Sequence, residues 1–137
     1  MASYKISNIE GVGTKFADKL RRAGVRSVNA LLENGGTRQG RKKLSETTGI
    51  DESTILKWVN MADLYRVKGV GSEYSELLEK AGVDTVKELA KRDADNLYKK
   101  MVEVNSTGRG LVRQLPGKKS VKNWVSHAKK LNPKVTY

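Results

Sequence analysis

A chain of 137 residues with 37% hydrophobic content has room for one ordinary domain or two small ones. It contains no cysteine, which excludes disulfides and thiolate metal sites and fits a reducing compartment, and no apolar run approaches the length of a membrane span. Its 27 Lys and Arg against 15 Asp and Glu leave a net charge of +12, which points to a polyanionic partner: nucleic acid first, an acidic membrane surface second, with plain solubility as the alternative.

The first helix signal is Thr14, an N-cap residue ahead of Lys15–Ala23, where Phe16, Ala17, Leu20 and Ala23 share a stripe. Gly24 should end that helix as a left-handed residue, with apolar Val25 next. Ser27 precedes a short helix over Val28–Leu32, and Thr37 leads into Arg38–Glu46. An amphipathic helix follows, with Ile55, Trp58, Val59, Ala62 and Tyr65 on one face. Ser72 should cap the next helix, on which Tyr74, Leu77, Leu78 and Ala81 fall at i, i+3, i+4 and i+7 before Gly82-Val83 stops it. Thr85 and Glu88 have capping-box spacing around Val86–Ala90, and Asp93 leads into Ala94–Val104. Ser106–Gly117 is Gly-rich and basic and reads as an exposed loop, with a brief extended segment at Leu111–Gln114. The last helix carries Val121, Trp124, Val125, Ala128 and Leu131 on one face, and Asn132-Pro133 ends it. Both tryptophans lie on apolar stripes and read as core anchors rather than platforms for a base.

The chain is one unit written twice. Gly11, Val12, Gly13, Leu20, Ala23, Gly24, Val25, Val28 and Leu31 recur 58 positions later as Gly69, Val70, Gly71, Leu78, Ala81, Gly82, Val83, Val86 and Leu89. The two Trp-Val-x-x-Ala stretches lie 66 positions apart, so the second copy carries about eight extra residues between Asn105 and Gly117. The expected architecture is all-α: two fused repeats with about eight to ten short helices, the first over residues 1–65 and the second over 66–137, with a basic insert at 105–117.

Each copy opens on apolar-x-Gly-apolar-Gly, as Ile9–Gly13 and Val67–Gly71, between helices. This turn, with its following Thr or Ser, apolar helix stripe and Ala-Gly-Val exit, resembles the helix-hairpin-helix motif. Glycine lets a backbone approach a ligand without a Cβ in the way, and the following helix offers free N–H groups and the positive end of its dipole. The resemblance implies a nucleic-acid phosphate as the occupant, bound without reference to base identity. Copy one is also similar to the N-terminal helical domain of RecA-like recombinases of archaea and eukaryotes, which implies a second turn at Thr48-Gly49-Ile50, with Asp51 capping the next helix. Over Tyr4–Tyr137 the chain resembles a bacterial family of unknown function built from this tandem unit. The stretches that carry the likeness are Ile55–Leu64, Gly82–Leu89 and Trp124–Leu131. That family implies a helical fold and a DNA-binding role.

Charge separates the copies. Residues 1–65 have a net charge of +4, residues 66–101 of +1 and residues 102–137 of +7. The first turn, Gly11, Val12, Gly13, Thr14 and Lys15, is therefore the stronger phosphate candidate, since Lys15, Lys19, Arg21 and Arg22 follow it. Gly69 and Gly71 are followed by Glu73, Glu76 and Glu79, which repel phosphate, so packing or a protein partner competes there. Arg109, Arg113, Lys118, Lys119 and Lys122 form a compensating basic segment, and Gly49 and Ile50 a third contact. Each of these also has a plain reading, as packing glycines or as a solvated charged face. The Arg38, Arg41, Lys42 and Lys43 cluster likewise reads either as a solvated helix start or as a contact for a partner.

No nucleophile elbow, Walker loop or paired-carboxylate motif appears, and the one histidine, His127, rules out a His-rich metal site and reads as a structural or solvent residue. The dinucleotide fingerprint fails because Phe16 stands where its third glycine belongs. The expected function is non-enzymatic, sequence-nonspecific binding of double-stranded DNA through backbone phosphates, with no cofactor and no metal. A protein-interaction adaptor, docking at the acidic second hairpin, is the alternative. The expected location is cytoplasmic, extending to the nucleoid.

Overall fold

A computed structural model of the chain describes Ile6, Ile9 and residues 12–106 and 114–136. Among these residues all regular structure is helical, in eight helices and without strands, in agreement with the all-α expectation. They are α1 (Gly13–Arg22), α2 (Val28–Gly35), α3 (Arg38–Thr48), α4 (Glu52–Leu64), α5 (Ser72–Lys80), α6 (Val86–Ala90), α7 (Ala94–Ser106) and α8 (Lys118–Ala128). None is long and apolar enough to cross a membrane. The described residues fall into two compact units. One runs up to Asp63 and takes in the tail from Lys134, and the other is Leu64–Pro133.

The same local bonds recur in both units 58 positions apart. Val25 N–H donates to Leu20 O at 2.8 Å, and Val83 N–H to Leu78 O at 2.8 Å. With Gly24 N–H on Arg21 O and Gly82 N–H on Glu79 O, each at 3.0 Å, these are Schellman endings. Such an ending needs a left-handed residue, and Gly24 and Gly82 supply it at φ +90° and +93°. The aromatic pair repeats too: Phe16 lies 5.4 Å from Trp58, and Tyr74 lies 5.2 Å from Trp124, both tilted. Both tryptophans are buried, as their place on the apolar stripes requires.

In the second unit, Leu77 and Leu78 of α5, Leu89 of α6, Leu97 and Met101 of α7 and Val121 of α8 belong to one core and are essentially inaccessible to water. Each such side chain stabilises the fold by about 1.5–3 kcal/mol relative to exposure. In the first unit, Ala17, Leu20, Leu31, Ile55 and Val59 are buried to the same degree.

Helix starts are of two kinds. Ser27, Thr37, Thr85 and Asp93 accept from the backbone N–H groups of Ala30, Gly40, Glu88 and Asn96, respectively, as their sequence places predict. The Thr85 capping box is half made, because the Glu88 carboxylate accepts from Arg92 Nε at 3.3 Å. Thr14 and Ser72, by contrast, are not caps. Helix α1 begins at Gly13 and α5 at Ser72, so the N-cap positions fall on Val12 and Gly71, which carry no side-chain acceptor. The glycine turn brings the chain into α1 two residues early and into α5 one residue early, and so moves each hydroxyl past the capping position. Helix α8 also ends early, at Ala128. Its last turn tightens through Lys130 N–H on His127 O and Leu131 N–H on Ala128 O, before Asn132-Pro133 is reached.

Candidate functional site

The helices without a side-chain cap at a described N-terminus are α1, α5 and α8, and each opens at or just after a glycine: Gly13, Gly71 and Gly117. Their first-turn N–H groups have no partner within the helix and face the positive end of the dipole. Helices α1 and α8 have no acidic residue in the first turn, whereas α5 has Glu73.

In the first turn, Gly11 lies outside the described residues. Val12 is buried and its N–H donates to Ile9 O at 3.2 Å, so this residue shapes the turn and offers no side chain to a ligand. Gly13, Thr14 and Lys15 are exposed. Of the following cations, Lys19 Nζ lies 5.7 Å from the Phe16 ring centroid, and Arg21 bonds Asp18 at 3.0 Å. The Arg21–Asp18 pair is exposed and adds little to stability.

The second turn is braced differently. Val70 N–H donates to Val67 O at 3.1 Å, and Lys68 N–H donates to His127 Nδ1 at 3.1 Å. Gly69 sits at φ +92° and Gly71 is extended at φ −117°, whereas Gly13, the counterpart of Gly71, sits at φ +64°. The repeated sequence therefore closes the two turns with different backbones. A Cβ on Gly69 would stand 3.1 Å from Trp124 Nε1. Gly69→Ala combines that contact with a disfavoured φ, and is expected to cost about 1–3 kcal/mol in a denaturant titration. A loss below about 0.5 kcal/mol would show that the turn relaxes freely.

Gly49 and Ile50 form the left-handed end of α3. Gly49 N–H is bound to Ser45 O at 2.8 Å and Ile50 N–H to Thr48 Oγ1 at 3.2 Å, and the Ile50 side chain is buried. Both backbone donors of that turn are thus used internally.

Of the basic segment, Arg109 and Arg113 lie outside the described residues, as does most of the extended stretch expected at Leu111–Gln114. Lys118, Lys119 and Lys122 are exposed on α8, with Lys118 Nζ 5.7 Å from the Tyr98 ring centroid. Lysines in a first turn oppose the helix dipole, so no intrahelical gain accounts for Lys118 and Lys119. The Arg38–Lys43 cluster loses its central cation. Arg41 is 4% exposed and donates to Gly35 O, Gly36 O and Thr136 O at 2.9, 3.1 and 2.6 Å. Arg38, Lys42 and Lys43 stay exposed.

Sequence reasoning did not single out Ser120 and Asn123, and it left Lys68 and His127 without a site. Together with Gly69 and Trp124 they line a cleft of about 410 Å³ in the second unit. The only sequence signal for it is a contrast between the copies, since the place of His127 is held by Met61 in the first.

No curated protein matches this chain, and no solved structure does. A family model matches residues 10–131, and the chain belongs to that family, described as Domain of unknown function (DUF4332).

Proposed function

We propose that the protein binds double-stranded DNA through backbone phosphates, without sequence preference and without catalysis. The observation that carries this reading is the division among helix starts. Four helices satisfy a first-turn N–H with their own Ser, Thr or Asp, while those opening at or after Gly13 and Gly117 leave theirs open beside Lys15 and beside Lys118 and Lys119. An open N-terminus with cations and no carboxylate in its first turn suits a phosphate oxygen. In this reading the duplicated turns are helix-hairpin-helix units, as in the N-terminal domain of RecA-like recombinases, and the protein works in the cytoplasm on the nucleoid. The contacts are the first turn, the α8 start and the basic segment that precedes it.

With about five phosphates neutralised, log affinity should fall with log salt at a slope of roughly −4.5. Fluorescence anisotropy of a labelled duplex between 50 and 200 mM salt measures it, those concentrations being about the range over which the effect is large. A slope near zero would defeat the reading. Glu73 in the first turn of α5 favours a second reading, a protein-interaction adaptor at the second hairpin. Partners that survive nuclease treatment in a pull-down would support it.

A further inference from the structure

We propose that α8 lies across the major groove of a B-form duplex, with Lys118, Lys119 and Lys122 on one phosphate row and Lys129 and Lys130 on the facing row. The inference rests on the duplex reading and names the form of nucleic acid that this surface takes.

Lys118, Lys119, Lys122, Lys129 and Lys130 are all exposed, and none forms an ion pair with a described residue. At about 3.6 residues per turn they fall within an arc of roughly 120° on the helix. Lys129 continues the helical run, since its backbone is still right-handed at φ −63° and ψ −22°. The buried residues Val121, Trp124, Val125 and Ala128 take the other side. No Asp or Glu occurs from Lys118 to Lys130, so nothing within this segment offsets the lysines.

The charge falls into two groups. Between Lys122 and Lys129 the exposed residues are Asn123 and Ser126, both uncharged. At about 1.5 Å per residue, the centres of the two lysine groups stand roughly 15 Å apart along the axis. A helix following one strand would meet phosphates along its whole length, because they recur about every 3.4 Å of duplex axis. Cations would then be needed throughout. A helix crossing a groove meets phosphates at its two ends and open space in the middle. The major groove is about 12 Å wide and the minor groove about 6 Å, so the lysine spacing fits the lips of the major groove.

Other polyanions fit this face less well. A membrane-surface helix needs a free apolar face, and that of α8 is buried in the core of the second unit. A single strand is held by exposed aromatic rings, and the aromatic residue of α8, Trp124, is buried.

The test measures the anisotropy of two labelled duplexes of one sequence at about 0.1 M salt, where each phosphate contact carries about 0.9 of a decade. One duplex is ordinary DNA, and the other has one strand made wholly of uncharged methylphosphonates. The full chain is compared with Lys129→Gln/Lys130→Gln, whose melting temperature should be unchanged because both lysines are exposed. On the ordinary duplex the variant should bind about 60-fold more weakly, with a salt slope flatter by about 1.8. Wild type should lose at least as much on the half-neutral duplex. There the variant should stay within about threefold of wild type, since the altered positions would face the uncharged strand. The inference is overturned if the variant matches wild type on the ordinary duplex, if wild type binds both duplexes alike, or if the two losses multiply. In each of those cases, a steep salt slope for wild type leaves the duplex reading standing. Absence of duplex binding by wild type removes that reading and this inference with it.

Discussion

Arg41→Met is expected to lower the unfolding free energy by about 3 kcal/mol or more, and the melting temperature by roughly 10 °C. The methionine keeps the packing volume of the side-chain stem and removes the guanidinium fork. Gly35 O and Gly36 O at the end of α2, and Thr136 O in the tail, then lose a charged donor at 2.9, 3.1 and 2.6 Å. Gly36 O keeps the Thr136 N–H at 2.8 Å, so the largest penalties fall on Gly35 O, which is left buried and unpaired, and on the anchoring of the tail. Arg41→Lys should recover only part of the loss, because a single ammonium cannot span carbonyls on two segments. Urea titration of the three proteins measures this. A loss under about 1 kcal/mol for Arg41→Met would mean that water replaces the guanidinium at little cost.

Reversing Lys118, Lys119 and Lys122 together to glutamate should weaken duplex binding by about 500-fold at 0.1 M salt. Each phosphate contact contributes about 0.9 of a decade there, so three make roughly 2.7 decades, and the salt slope should flatten from about −4.5 to about −1.8. The same change should leave folding intact or slightly improved. Carboxylates at positions 118 and 119 sit in the first turn of α8, where the dipole favours them by about 0.3–1 kcal/mol each. Affinity and melting temperature should thus move in opposite senses, which a merely unfolded variant cannot imitate. Lys15→Glu provides the matching test at the first turn. If it binds as wild type while the α8 variant does not, Gly13–Lys15 is scaffold. If the α8 variant retains affinity within about threefold, the basic segment has no part in the interface.

What the sequence reveals of this fold is what depends on near neighbours. Ser27, Thr37, Thr85 and Asp93 each bond a backbone N–H three residues on, and Gly24 and Gly82 close turns with partners within five residues. Such bonds leave a local signature in residue type and spacing. Thr14 and Ser72 carry the same signature without the bond, since the backbone of a preceding glycine decides where the helix begins. The Arg41 side chain reads as one cation among several because its acceptors are carbonyls, which every residue has. Of the candidate site, the glycine turns and the α8 lysines were visible as motif and charge. The cleft was not, because the Lys68 N–H and the His127 ring meet across 59 positions of sequence.

The tail that Arg41 holds has a consequence for the order in which the molecule can be completed. Leu64–Pro133 is continuous in sequence, whereas the other unit needs Thr136, whose N–H binds Gly36 O and whose carbonyl binds Arg41. During synthesis the later-made unit can therefore reach its final contacts before the earlier one, reversing the usual N-terminal-first sequence of domain folding. Without residue 136 the Arg41 guanidinium keeps Gly35 O and Gly36 O but lacks the tail carbonyl, and residue 136 is the latch that closes that unit.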